Sequence, residues 1–325
     1  MKNMLTQFNI AVSKELNLHF FLWNCCAIDL SARTVMVSEY EEMLGEIWDD
    51  FSILVNELQP KLIEAKKENP NINNEISQSL IQIGNVPVEY EYLNKYYFAA
   101  EIYFSEIWKI ALPILKKQYE LLSKQSINAD KLENIEHDLE IFFGHETQDK
   151  SITIALRYSP EIYQGGNRVN SSLVAVEKNP IESSDDVDNF WLLVLHEYVH
   201  AQFENEEVKN KLRNYVQGKE KTKLMSHHGP RSLFGELIVS SFASSGYLAE
   251  KYFNRNWDNK FAAEWQQIQN KEKKVNINDL NPLRNLARLR LKPLINKYIE
   301  NNKSFDAVFL DNLYEIINEY EIAAL

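Results

Sequence analysis

Six apolar residues, 190–195, run without a break into His196-Glu197-Tyr198-Val199-His200-Ala201. No other stretch constrains the fold as much. A segment this apolar over three turns has to be a helix buried in a core. Residues four apart share a helix face, so the imidazoles of His196 and His200 point at one spot. Glu197 lies about 100° further round the axis. From there its carboxylate reaches a water held at that spot without joining the ligands. His-Glu-x-x-His thus offers two neutral nitrogen donors and one base, the set that zinc hydrolysis requires.

A catalytic zinc held by two histidines needs a third protein ligand and one open position. Glu236 is the candidate, because it is the only carboxylate in the apolar, small-residue stretch 232–249. Ionising a carboxylate there is costly unless a cation accompanies it. Ser240 and Ser244 continue the same face at helical spacing and can donate from behind the ligands. Glu204, Glu206 and Glu207 follow His200 too closely for a rigid helix to fold back on its own metal. His227 and His228, in the stretch 225–231, remain rivals for the third ligand. Either is also a candidate donor to the oxyanion of a tetrahedral intermediate, with Tyr198 and Tyr247 as alternatives. Arg231 reads as a surface residue.

His196-Glu197-x-x-His200 followed by a helical Glu236 resembles the gluzincin branch of zinc metallopeptidases, over roughly residues 150–255. The resemblance implies His196, His200 and Glu236 as metal ligands, Glu197 as general base and Zn2+ as cofactor. It also implies a zincin-like core around them. The expected activity is peptide-bond hydrolysis by a zinc-activated water, with a peptide or protein as substrate. One departure stands out. Many gluzincins carry an Asp four residues after the ligand Glu, where it orients a ligand histidine, and this chain has Ser240 there. That departure keeps a second class open: a non-catalytic helical binding protein with a structural or degenerate metal site. Hydrolysis of another amide or an ester by the same machinery is a third reading.

The formal net charge of −12 excludes broad nucleic-acid binding and attraction to anionic membranes, both of which want a basic surface. Cys25 and Cys26 are adjacent and the only cysteines, so no disulfide framework exists. The apolar run 18–28 is short, follows Lys14 and Glu15, and contains His19 and Asn24. It reads as a core helix and not as a signal peptide. No segment reaches the uncharged length of a membrane span. The expected location is the cytoplasm, and the sequence leaves the oligomeric state unspecified.

Periodicity predicts a mostly helical α+β protein: a helical N-terminal region, 1–148, then a region with a helical C-terminus, 149–325, which the resemblance implies is zincin-like. In the first region Ser38 caps a long helix that Pro60 ends, and Pro113 kinks or restarts another. The aromatic-rich segment 88–124 reads as helical core. At about 150 the character changes. Residues 151–158 alternate and are β-branched, Gly165-Gly166-Asn167 marks a turn, and 172–177 is a second strand, together a small antiparallel sheet. The edge of the strand just before the zinc helix would suit an extended peptide. Arg284, Arg288, Arg290 and Lys292 make a basic amphipathic helix, read as internal salt-bridging plus a solvated face.

Overall fold

The structure is a computed structural model that describes residues 6–26, 28, 34–146, 151–160, 164–170, 172–178 and 181–324. Strand β1 (Gln7–Ala11) leads into helices α1 (Lys14–Cys25), α2 (Thr34–Leu44), α3 (Trp48–Glu68), α4 (Ile72–Ile83), α5 (Asn94–Lys124) and α6 (Ala129–Phe143). Strands β2 (Ser151–Arg157), β3 (Gln164–Asn170) and β4 (Leu173–Lys178) come next. They are followed by α7 (Ser184–Gln202), α8 (Glu206–Gln217), α9 (Lys223–His228) and α10 (Pro230–Phe242). The chain closes with α11 (Tyr247–Phe253), α12 (Asp258–Gln269), α13 (Asn281–Glu300) and α14 (Ala307–Ala324). The mostly helical α+β class holds. Among the described residues no helix is long and apolar enough to cross a membrane.

The sheet differs from the antiparallel one expected. Its order is β1-β2-β4-β3, with β1, β2 and β4 parallel and only β3 antiparallel to its neighbour. Parallel neighbours need a long crossover, and β1 reaches β2 only after six helices, a pairing that local pattern does not reveal. Gly165, Gly166 and Asn167 lie inside β3 and not at a turn. An edge strand contributes chiefly backbone hydrogen bonds, which glycine supplies as well as any residue. β4, the strand just before α7, pairs with β2 on one side and β3 on the other. It therefore has no free edge for a peptide.

Three helix boundaries also differ, the first because α2 begins at Thr34, so that Ser38 lies inside the helix and does not cap it. Gly45, at φ +52°, breaks the helix expected from Ser38 onward, and a short 3-10 turn, Gly45–Ile47, separates α2 from α3. Pro60 does not end α3, which continues to Glu68. An interior proline costs a helix about 3 kcal/mol. Leu58 and Leu62 are buried on either side of it, each stabilising the continued helix by roughly 1.5–3 kcal/mol. Packing wins. Pro113 is likewise carried inside an unbroken α5, flanked by buried Ala111 and Leu115.

The chain divides into two compact units that interleave in sequence: Gln7–Ser126 with Ser151–Phe190, and Met1–Thr6 with Ile127–Lys150 and Trp191–Leu325. In the first, α1 is the central element, buried continuously from Leu16 to Cys25. Leu16 and Phe20 pack on Ala155, Leu173 and Ala175 of the sheet. Phe21 meets Tyr40, Phe51 and Phe104 of the surrounding helices. The aromatics of α5 divide: Tyr96, Tyr97 and Phe104 are core, while Phe98 is 78% exposed. The polar groups of α1 are satisfied internally, as burial demands. Asn17 donates to the Leu156 carbonyl and accepts from Tyr158 N–H. His19 bonds Tyr97 Oη through Nδ1 and Asn73 Oδ1 through Nε2.

Burial pulls the His19 pKa down from 6.5 to about 4, against the opposing hydrogen bond to Asn73. The unfolded chain takes up a proton below pH 6.5 that the folded chain refuses until about pH 4. Stability is therefore complete above that window and falls as pH drops through it, by about 3 kcal/mol. Urea unfolding at about pH 7 and about pH 4.5 should show the parent losing more stability than His19→Gln. Equal losses would exclude this origin.

In the second unit Phe142 and Phe143 of α6 pack with Phe242 of α10 and with Phe305. Phe305 N–H donates to the Phe142 carbonyl, which fixes the approach to α14. α13 lies along α10, burying Leu283, Leu286, Ala287 and Leu291.

Candidate metal centre

The entry to α7 is a reciprocal cap. Ser183 Oγ accepts from Asp186 N–H and donates to the Asp186 carboxylate, which also accepts from Ser183 N–H. Five buried apolar residues, Phe190 to Leu192 with Val194 and Leu195, then fix the rotation of the helix. His196 and His200 emerge together on the remaining face, their Nε2 atoms 3.2 Å apart.

Glu236 of α10 meets them. Its Oε1 lies 3.6 Å from His196 Nε2 and its Oε2 lies 3.3 Å from His200 Nε2. These three residues form a group able to hold a metal ion. Donors 2.0–2.1 Å from a tetrahedral centre lie about 3.4 Å apart, so the observed separations match three corners of such a site. The charge state matches as well. Burial, outweighing the attraction of Glu236, drops the His196 pKa to about 3, so the ring is neutral and carries a lone pair at ordinary pH. Burial alone would raise the Glu236 carboxyl. The hydrogen bond from His200, followed by the nearby charges of His196 and Arg284, holds it at about 2 instead. With His196 neutral, Arg284 is a permanent positive charge beside Glu236 near pH 7. Two imidazoles and one carboxylate suit zinc without excluding other divalent ions.

Behind the ligands the two serines divide the work. Ser244 Oγ lies 3.0 Å from His196 Nδ1. Accepting Nδ1–H leaves the Nε2 lone pair facing the site, the tautomer a metal needs. Ser240 Oγ donates to Glu236 Oε1 at 3.1 Å and touches the carboxylate, not a histidine. The residue in the Asp position is thus replaced in effect by Ser244, one turn further on. Ser244 holds a left-handed backbone, φ 42°, just past the end of α10. An αL serine is strained, and such strain concentrates at functional sites. Glu197 follows His196 on α7 and is buried, at 8% exposure.

Two arginines complete the surroundings. Arg284 Nη2 forms an ion pair with Glu236 Oε1 at 3.0 Å. Arg288, one turn along α13, donates from Nε to the Ser240 carbonyl at 3.2 Å and from Nη1 to Asn285 Oδ1. Burial, with the charge of Arg284, draws its pKa down to about 10, which leaves it protonated. Internal salt-bridging describes Arg284, whereas Arg288 is half-buried and bonds the α10 backbone. Their four-residue spacing on an apolar helix was the one available signal for a shared inward face.

The remaining sequence candidates lie elsewhere. His227 and His228, on α9, bond through Nε2 to Asn278 Oδ1 and the Ile277 carbonyl, and neither joins the metal-ligating group. Tyr198 Oη bonds Thr6 Oγ1 and Glu136 Oε1. Tyr247 Oη donates to Asp138 Oδ2, which also receives Lys251 and Tyr252. Glu204 and Glu206 pair with Lys209 on the surface. Arg231 is exposed.

No family model matches the chain, and no curated protein or solved structure matches it.

Proposed function

We propose that this chain is a zinc-dependent metallopeptidase of gluzincin type, with His196, His200 and Glu236 as the metal ligands and Glu197 as general base. The observation that carries the reading is the convergence of two imidazoles and a carboxylate from α7 and α10, with the buried Glu197 next to His196 in the chain. Bound zinc would supply a Lewis acid that polarises the substrate carbonyl and acidifies a water. Glu197 takes the proton of the attacking water as its oxygen bonds to the carbonyl carbon. It then delivers that proton to the amine nitrogen as the C–N bond breaks. Ser244 keeps His196 in the ligating tautomer, and Ser240 steadies the Glu236 oxygen that faces Arg284. A structural metal site would call for a fourth protein donor. Among the described residues the ligating group has three members, which favours an open position over a closed one.

Digestion of a peptide library tests the reading. Cleavage that stops on chelation and returns with added zinc supports it. Zinc-loaded protein that cleaves no member of the library overturns the peptidase assignment.

A further inference from the structure

Arg284 is more than a ligand-orienting device requires. Orienting a carboxylate takes one neutral donor, and Ser240 already supplies it at Oε1 of Glu236. Arg284 adds a full positive charge to that same oxygen, 3.0 Å away. The other oxygen, Oε2, is the one directed at His200. Glu236 is therefore shared: Oε2 faces His200, while Oε1 faces His196 and the Arg284 cation at once.

The cation is firmly placed. Arg284 Nη1 donates to Asn281 Oδ1 one turn back on α13. One turn forward, Arg288 anchors α13 to the α10 backbone at the Ser240 carbonyl. Asn281 thus steadies the guanidinium on Glu236, and Arg288 steadies the helix that carries it. Its side chain is 30% exposed, so solvent screens its charge only in part.

Charge counting gives the consequence. Glu236 and Arg284 form an ion pair whose charges cancel. A dication beside that pair leaves it with two net positive charges, and Glu197 and Arg288 nearby add one charge of each sign. We propose that Arg284 is a built-in counter-ion of the centre, stabilising the metal-free arrangement of Glu236 and opposing the metal once it binds, so that the ion is held reversibly. This rests on the reading of His196, His200 and Glu236 as metal ligands. Linkage makes the two effects reciprocal: what Arg284 adds to the metal-free state it subtracts from metal affinity.

The test is zinc affinity by competition with a chromophoric chelator, together with thermal unfolding of the chelated protein. Arg284→Gln keeps a neutral donor within reach of Oε1 and removes the charge. It should bind zinc about 10-fold more tightly than the parent, while its chelated form melts at a lower temperature. Arg284→Lys keeps the charge and should stay close to the parent in affinity, which preserves the test if the glutamine variant fails to fold. Equal or weaker zinc binding by Arg284→Gln overturns the counter-ion role and leaves the ligand assignment standing. A lysine variant that binds zinc far more tightly than the parent overturns it too. If neither the parent nor any variant binds zinc, the ligand assignment itself falls.

Discussion

Glu197→Gln is expected to retain its zinc and to cleave peptides roughly 10²–10⁴-fold more slowly than the parent. The substitution is nearly isosteric, so the buried side chain still fills its place in α7. It removes a base and leaves all three donor atoms of His196, His200 and Glu236 untouched. An amide cannot accept the proton of the attacking water, and it cannot return one to the leaving nitrogen. Metal content and initial rates on the same preparation separate the possibilities. A variant that cleaves as fast as the parent would remove Glu197 from the mechanism. A variant that loses its zinc would make Glu197 part of the metal's support.

Gly246→Ala is expected to destabilise the fold by about 3 kcal/mol or more. A Cβ at this position would sit 1.9 Å from the Ser241 carbonyl oxygen, 2.4 Å from its carbon and 3.0 Å from the Ser240 oxygen. All are backbone atoms of α10, which cannot rotate away as a side chain would. The close approach has a use. Gly246 N–H closes a turn onto the Ala243 carbonyl, and within that turn stands Ser244, the hydroxyl that supports His196. Opening the turn should therefore weaken zinc binding as well as stability. Gly235→Ala is the control, since a Cβ there meets nothing within 4 Å. In urea unfolding the control should stay within about 1 kcal/mol of the parent or gain slightly from helix propensity. A Gly246→Ala protein as stable as the parent would mean the turn is not built as described.

The residues of the candidate metal group were legible because their signals are local. His196 and His200 are four apart on a helix whose other faces are apolar, and helical geometry alone brings them together. Glu236 stood out as a lone carboxylate in an apolar stretch, a placement that demands a partner. Arg284 was not legible as that partner. It is 48 residues downstream, and an arginine on an amphipathic helix reads equally well as surface. Ser240 misled in the opposite sense, because its departure from the expected Asp suggested a gap behind the histidine. The gap is filled by Ser244, which reaches His196 from a left-handed position just past the end of α10. The sheet escaped for a related reason. β1 and β2 pair across more than a hundred residues, and nothing in either strand names its partner. Pro60 and Pro113 were read by their local effect, and tertiary burial overrode it.

The most direct measurement is the metal content of purified protein after exposure to zinc and gel filtration. About one zinc per chain is expected in the parent, and far less in His196→Ala, which lacks one of three protein ligands. A parent that carries no zinc, or an alanine variant that carries as much as the parent, would contradict the account.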